Sequence, residues 1–178
     1  MAARRGGPFA SRTSVGWETV ECSPTRASVA NLPFDLEFTR AMLTRHWDTT
    51  VDVLSIIGTV EEIKLLKEAP ATERTAMWAA FWVRRDPSPG TEDNEALEEH
   101  WRRFRHAKKE FATADAGWKT DRGRIYIRYG KPDEQEIRTD PYVQGQYLVW
   151  RYYRDNLTFV FYDRFGLGEY ILSNSSTF

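Results

Sequence analysis

The fold of this chain is decided by one segment, Gly117-Trp118-Lys119-Thr120-Asp121-Arg122-Gly123-Arg124, which links a long charged stretch to a run of Ile and Tyr residues. Its glycines suit positions where a Cβ would be penalised, and its Thr and Asp side chains can hydrogen-bond nearby backbone N–H groups. The apolar run behind it, 125–129, is predicted as a strand that ends in a turn at Gly130-Lys131-Pro132-Asp133. Such a segment is consistent with a role in folding or in binding.

Signals for helices fill the residues before this segment. Thr59 and Glu62 have the spacing of a capping box, which predicts a helix that ends near residue 69. A second helix is predicted to start at Thr72 and to end before Pro87, with one apolar face made of Met77, Trp78, Phe81 and Trp82.

Two further helices are predicted, one over about 37–47 and the longest over about 92–112. Thr91 is the expected cap of the longest helix, in which acidic residues come early and basic residues late, as the helix dipole favours. Its core-facing stripe is expected to be Leu97, Trp101, Phe104, Ala107 and Phe111.

The last third of the chain has the composition of β-strands. Besides 125–129, aromatic and β-branched residues predict strands at 147–153, 157–163 and 169–173. Short connections favour antiparallel neighbours, so we expect an α+β fold in which N-terminal helices pack on a C-terminal antiparallel sheet of three to four strands. Residues 1–35 are expected to form an extended or irregular arm, and residues 36–178 a single domain.

Composition restricts the classes of function. The chain has 178 residues, 41% of them hydrophobic, which suits one core. Its 25 basic and 26 acidic residues nearly cancel, so overall charge does not favour binding to nucleic acid or anionic lipid. Cys22 is the single cysteine, which excludes an intrachain disulfide. The first residues lack the apolar core of a signal peptide, and no stretch has transmembrane length, so we expect no membrane-spanning segment, although peripheral membrane association is compatible with the sequence.

The segment at 117–121 resembles the defining motif of the bacterial GWxTD domain family, and it satisfies that motif in full. The resemblance spans about 55–172 and includes Phe81-Trp82-Val83-Arg84-Arg85-Asp86-Pro87-Ser88-Pro89-Gly90-Thr91, Trp150-Arg151-Tyr152 and Phe159-Val160-Phe161-Tyr162-Asp163. The family has no established activity, and its members resemble one another mainly as C-terminal domains of larger exported proteins. The resemblance therefore implies a periplasmic or cell-envelope location.

The order of elements is also distantly similar to that of small outer-membrane assembly lipoproteins of the SmpA/OmlA type. That similarity implies a different local structure, because residues 122–129 would then be helical rather than extended.

Recognisable catalytic motifs are missing from the sequence. It has no Gly-x-Ser-x-Gly elbow and no P-loop, and its histidines, His46, His100 and His106, do not have the His-Glu-x-x-His arrangement of a zinc site. We therefore expect no cofactor and no metal.

Carboxylates near turns leave an enzyme open as an alternative. Two of them could provide acid–base catalysis or bind a divalent cation, and the candidates are Asp86, Glu95, Asp121, Asp133 and Asp163. Ion pairs and capping hydrogen bonds explain the same residues without catalysis. On that interpretation Arg85, Asp86 and Glu95 form a charged cluster with arginines of 117–124.

A third alternative is binding to single-stranded nucleic acid. Residues 122–129 partly match the ribonucleoprotein signature through Tyr126 and Tyr129, but Arg124 and Ile125 break it.

The sequence favours a non-enzymatic, extracytoplasmic interaction or scaffold domain that contacts a protein partner in a larger envelope-associated assembly. The alternatives are a carboxylate-dependent enzyme acting on an envelope polymer or peptide, and a single-stranded nucleic-acid binder. Within the segment, Trp118 is expected to pack on the long helix near Trp101 or Phe104, and Asp121 to pair with an arginine or to cap local N–H groups. The candidate binding or structural residues are Trp82, Arg85, Asp86, Glu95, Gly117, Trp118, Thr120, Asp121, Arg122, Gly123, Arg124 and Asp133.

Overall fold

The computed structural model describes residues 43–91, 93–113, 115–139 and 144–177, without the side chains of 174–177. In these residues five α-helices precede a four-stranded antiparallel sheet of order β1-β2-β3-β4, which confirms the α+β class. The helices are α1 Trp47–Leu54, α2 Val60–Glu68, α3 Arg74–Val83, α4 Glu95–Glu110 and α5 Asp121–Tyr129. The strands are β1 Glu134–Arg138, β2 Gln146–Tyr152, β3 Leu157–Asp163 and β4 Ile171–Thr177. The predicted arm at 1–35 and most of the predicted helix at 37–47 lie outside the described residues.

Helix α5 joins two hydrophobic clusters. The helical cluster contains residues of α1 to α4 together with Trp118 and Ile127, and the sheet cluster contains Ile125 and Tyr126 with residues of β2 and β3. Phe111, which follows α4, packs against both clusters. The placement of α5 therefore determines how the helices sit on the sheet.

The predicted strand at 125–129 is wrong, because these residues belong to α5. Ile and Tyr favour strands in isolation, but a short apolar run does not distinguish a strand from a helix buried on two sides. Thr120 caps this helix, and Gly130, with φ 85°, ends it. The predicted turn at Gly130 is thus the end of a helix, and the more distant resemblance implied the correct helical state.

The ends of the earlier helices follow local hydrogen bonds. The predicted capping box of α2 is confirmed, since the Thr59 side chain accepts from the Glu62 amide and the Glu62 side chain accepts from the Thr59 amide. Thr91 was the wrong cap for α4. Asn94 takes that place because its side-chain oxygen accepts from Leu97 N at 2.9 Å while its amide donates to the Trp82 carbonyl at 2.9 Å.

The three strands predicted after residue 146 are confirmed as β2, β3 and β4, and β1 is a fourth strand that was not predicted. β1 lacks an apolar alternation, and its residues are exposed or half-buried. It is held instead by the antiparallel register with β2 and by Arg151, which forms ion pairs with Glu134 and Glu136 at 3.0 and 3.1 Å. Charged residues on an edge strand also discourage pairing with other chains.

The described core contains a buried histidine on α4. His100 is 4% exposed, and its ring lies 5.2 Å from that of Trp82 and 5.3 Å from that of Trp101. Among the described residues neither ring nitrogen has a hydrogen-bond partner. Burial, reinforced by the charges of Arg103 and Arg85, lowers its pKa to about 3. The imidazole is therefore neutral in the folded protein over the physiological range.

This histidine should make folding sensitive to mild acid. Because the folded-state pKa lies below the unfolded value, the unfolded chain takes up the proton first, and stability present above pH 6.5 is lost as the pH falls. Between pH 6.5 and 5 the loss should be about 2 kcal/mol. Urea unfolding across this range should show a flatter dependence for His100→Leu than for wild type. His106→Gln is the matched control because His106 is exposed, and equal slopes for all three proteins would contradict the expectation.

Candidate functional site

The segment 117–124, which contains the GWxTD motif, leads from the end of α4 into the first residues of α5. Its two glycines, Gly117 and Gly123, make close backbone contacts. A Cβ on Gly117 would come within 2.2 Å of the Ala107 carbonyl oxygen, and one on Gly123 within 2.0 Å of the Gly117 carbonyl oxygen. Both neighbours are backbone atoms, so a side chain cannot be accommodated by rotating another side chain away. The glycines therefore set α5 against α4.

Trp118 fills the space beside α4. It is 9% exposed, and its ring centroid lies 6.0 Å from that of Phe104, which confirms the predicted packing on the long helix. The Lys119 ammonium lies 5.2 Å from the centroid of the indole ring, a distance compatible with a cation–π contact. The tryptophan belongs to the helical cluster.

Thr120 and Asp121 provide the hydrogen bonds of the segment. The Thr120 hydroxyl donates to the Gly117 carbonyl at 2.7 Å and accepts from Gly123 N at 3.1 Å. One Asp121 carboxylate oxygen accepts from Leu172 N in β4 at 2.8 Å. The prediction that Asp121 pairs with an arginine or caps local N–H groups is therefore wrong. Its observed partner lies 51 residues further along the chain. The segment thus fastens α5 to α4 and to the last strand.

Arg122 connects α5 to the loop between β3 and β4. Its guanidinium carbon lies 5.3 Å from the ring centroid of Phe111 and 4.4 Å from that of Tyr170, and its Nη2 donates to the Gly168 carbonyl at 2.8 Å. Burial lowers the pKa of this guanidinium, although the neighbouring Tyr170 and Asp163 act in the opposite direction. Arg124, one turn into the helix, is exposed.

The other predicted site residues do not gather at this segment. Arg85 pairs with Glu62 of α2, with Nη2 to Oε2 at 2.5 Å, and lowers the pKa of that carboxyl to about 2. Asp86 accepts from Ser88 N at 2.9 Å. The predicted charged cluster of Arg85, Asp86 and Glu95 with arginines of 117–124 is therefore wrong, because Glu62 supplies a better-placed carboxylate for Arg85.

Two more of the predicted site residues, Asp133 and Trp82, make structural contacts elsewhere in the fold. Asp133 accepts from Tyr153 N at 2.7 Å and so fastens the residue before β1 to the end of β2. Trp82 is buried in the helical cluster, where its ring contacts Trp78, Phe81 and His100.

A cleft of about 270 Å³ opens beside the segment. Its walls come from the residues before and at the start of α5 and from the residues that lead into β4. Carboxylates of Asp115, Asp121 and Glu169 line it together with the cationic side chains of Lys119 and Arg122. Among the described residues no group of His, Cys, Asp and Glu side chains is arranged to hold a metal ion.

Asp163 organises the far wall of this cleft. It is 1% exposed at the end of β3, and its carboxylate accepts backbone N–H groups of Phe165, Gly166, Leu167 and Gly168 at 2.7–3.2 Å. Burial alone would raise the pKa of this carboxyl, but the hydrogen bonds more than offset burial and the pKa is lowered. The sequence marked Asp163 only as a carboxylate near a turn. The two glycines that follow it, both with positive φ, are the signal for such a loop.

Removing this carboxylate should loosen the β3–β4 loop. Asp163→Ala leaves the loop N–H groups without their acceptor, so the free energy of unfolding should fall by about 1–3 kcal/mol at neutral pH. Since the pKa of Asp163 is lower in the folded protein than its usual value of 3.8, the wild-type advantage should disappear as the pH falls below that value. Urea unfolding at neutral and acidic pH measures both effects. The control is Asp155→Ala, in the turn between β2 and β3. Equal stability of the two variants would contradict the role of Asp163 in holding the loop.

Comparison with known proteins yields one family. The family model of the GWxTD domain matches residues 34–178. No curated protein and no solved structure gives a significant match. None of the described helices has the length and apolar character needed to cross a bilayer. Since the family match covers most of the chain and every helix and strand described above, the chain belongs to the GWxTD domain family.

Proposed function

We propose that this protein is a non-enzymatic interaction domain that works outside the cytoplasm as a subunit or accessory of a larger envelope-associated assembly. The observation that carries the proposal is the internal use of the motif. Its glycine, tryptophan, threonine and aspartate contact other parts of the same domain, namely Ala107, Phe104, Gly123 and Leu172 respectively. A motif used in this way stabilises a scaffold, and the surface of that scaffold is then available for binding.

The β3–β4 loop supports an interaction role. Phe165 and Leu167 are 67% and 73% exposed in a loop whose backbone is held by Asp163. Large apolar side chains on a pre-organised loop lose little conformational freedom when they bind, which favours their use as contact residues.

The extracytoplasmic part of the proposal comes from the family. Members of the GWxTD family resemble one another mainly as parts of larger exported proteins, and a single cysteine is compatible with that compartment.

A carboxylate-dependent enzyme remains the second candidate because of the cleft. Asp115, Asp121 and Glu169 line a concave site beside two cations, which is the type of surroundings in which acid–base pairs occur. Asp121 already accepts a backbone hydrogen bond there, which supports a structural use of this carboxylate. The partial ribonucleoprotein signature that suggested nucleic-acid binding lies in a helix rather than a strand, and its Tyr126 is buried.

Affinity capture with three proteins tests the proposal. The baits are wild type, Leu167→Glu and the control Val83→Glu, which changes an exposed residue at the end of α3. Each bait is applied to separated envelope and cytoplasmic fractions. We expect the same envelope protein with wild type and control, and at least about tenfold less with Leu167→Glu. Partners from the cytoplasmic fraction alone would contradict the location. Turnover of an envelope peptide or polymer that is lost in Glu169→Gln would favour the enzyme.

A further inference from the structure

We propose that the helical half of the fold contains an acid-sensitive seam, at which α3 separates from α4 when His100 takes up a proton while the sheet stays folded. The seam is the surface where α1, α2 and α3, called the α1–α3 unit below, meet α4, α5 and the sheet, called the α4–sheet unit below. His100 of α4 lies on this surface, with its ring 5.2 Å from that of Trp82 in α3. Protonation of one buried side chain is thereby coupled to exposure of an aromatic surface.

The α1–α3 unit is held together by contacts of its own. The indole Nε1 of Trp47 in α1 donates to the Leu66 carbonyl of α2 at 3.1 Å. Glu62 of α2 forms an ion pair with Arg85, which follows α3, at 2.5 Å. None of these four residues belongs to α4, so the three helices can move away from α4 as one body.

The α4–sheet unit is held together just as independently. Arg103 of α4 donates to the carbonyls of Ile127 and Arg128 near the end of α5, at 3.4 and 3.1 Å. Phe104 of α4 packs on Trp118, which precedes α5. Helix α5 in turn contributes to the sheet cluster. Opening the seam therefore leaves α4, α5 and the sheet connected.

The seam itself combines apolar packing with polar groups that are poorly satisfied. The Asn94 side-chain amide crosses it and donates to the Trp82 carbonyl at 2.9 Å. The Trp82 indole N–H and both ring nitrogens of His100 are buried, and within the part of the chain that the structure describes none of the three has a hydrogen-bond partner. Since water would hydrogen-bond these groups in the open form, the seam is a weak surface of the helical cluster.

The charged groups near His100 disfavour its protonation in the closed seam. Burial is the main reason that its pKa falls to about 3, and the guanidinium groups of Arg103 on α4 and Arg85 after α3 lower the pKa further. The nearby carboxylates are held by the same arginines, Glu62 by Arg85 and Glu99 by Arg103, at 2.5 and 2.6 Å. A buried imidazolium would therefore lie near two cations whose carboxylate partners are already engaged.

Acid therefore shifts the balance toward the open seam. In the open form His100 meets water and its pKa returns to the usual 6.5, whereas in the closed form the pKa is about 3. Because the open form binds the proton more tightly, the closed form is fully stable above pH 6.5 and loses stability as the pH falls below that value. From pH 7.5 to pH 5.5 the ratio of open to closed molecules should rise about tenfold. Opening the seam costs less than global unfolding, because the sheet cluster stays intact.

Hydrogen exchange of two indole N–H groups, followed by NMR, tests whether the seam opens by itself. Trp82 lies at the seam and Trp150 in the sheet cluster, and the two form a matched pair: both are almost fully buried, and neither indole N–H has a partner among the residues described. Protection is the exchange rate of the same group in the unfolded chain divided by the observed rate, so the pH dependence of the exchange chemistry cancels.

The seam predicts a difference between these two groups in wild type. At pH 5.5 the Trp82 N–H should be at least about tenfold less protected than the Trp150 N–H. Its exchange should also depend less on urea, because opening the seam exposes less surface than global unfolding. Equal protection and equal urea dependence of the two groups would overturn the inference, since both would then exchange only through global unfolding.

The pH dependence assigns the opening to His100. Protection of the Trp82 N–H should fall about tenfold from pH 7.5 to pH 5.5 in wild type and in the control His106→Gln, an exposed histidine, but not in His100→Leu, which cannot take up this proton. A protection that stays constant in wild type, or a fall that persists in His100→Leu, would overturn the role of His100.

Asn94→Ser tests the location of the seam without changing a titratable group. Serine can still cap α4, but the donor to the Trp82 carbonyl is lost, so protection of the Trp82 N–H should fall about fivefold at both pH values. Protection of the Trp150 N–H should fall less. An unchanged Trp82 protection in this variant would show that its N–H does not exchange through opening between α3 and α4, and would overturn the inference.

Discussion

Replacing Gly123 with alanine should lower the free energy of unfolding by about 3 kcal/mol or more, at the upper end of what overpacking costs. The new Cβ would meet the Gly117 carbonyl oxygen at 2.0 Å and Trp118 Cα at 2.9 Å, so α5 would have to move away from the segment that caps it. Alanine is otherwise favoured over glycine in a helix by about 1 kcal/mol. A destabilising result therefore cannot come from helix propensity. Urea or thermal unfolding measures it.

The matched control for this prediction is Gly90→Ala. Among the described residues no atom outside its own chain neighbours lies within 4 Å of a Cβ at that position, so the change should stay within about 0.5 kcal/mol of wild type. Gly117→Ala, whose Cβ would meet Ala107 O at 2.2 Å, should behave like Gly123→Ala. Stability equal to wild type in both glycine variants would show that the segment does not hold α4 and α5 together.

The second large effect concerns Trp118. Replacing it with alanine should destabilise the protein by about 3–5 kcal/mol, because the indole is almost fully buried and its removal leaves a cavity against Phe104. Trp118→Phe keeps an aromatic ring at this place and should lose less. Tyr153→Ala is the control, since Tyr153 is 64% exposed. An unchanged melting temperature of Trp118→Ala, together with loss of partner capture, would instead place Trp118 on a binding surface.

Local signals in the sequence were sufficient for the parts of the fold that depend on local contacts. The capping box at Thr59 and Glu62 marked the start of α2, and the enrichment in aromatic and β-branched residues marked β2 and β3. These elements were predictable because the groups that define them are neighbours in the sequence.

The errors occurred where distant contacts decide the structure. The run at 125–129 has strand propensity, but burial against both clusters and the cap at Thr120 make it helical. β1 is defined by its pairing with β2 and by Arg151, neither of which a local pattern of Glu, Gln and Arg reveals.

The same division between near and distant contacts applies to the candidate site. The contact of Trp118 with the long helix followed from the position of the segment between helix and sheet. The partners of Asp121 and Arg85 did not, because Leu172 and Glu62 lie far away in the sequence. To predict that Asp163 holds the β3–β4 loop, one would have to know that this carboxylate is buried.

Hydrogen exchange at the Leu172 amide tests most directly whether the motif is engaged within the fold. Since Asp121 accepts this N–H at 2.8 Å, the amide should be protected in wild type and should exchange about tenfold faster in Asp121→Ala, corresponding to about 1.4 kcal/mol. The Gly123 amide, which donates to Thr120, should keep its protection in the same variant and serves as the internal control. If the Leu172 amide exchanges in wild type as fast as an unprotected amide, then Asp121 is free to bind or catalyse, and the structural account of the motif is contradicted.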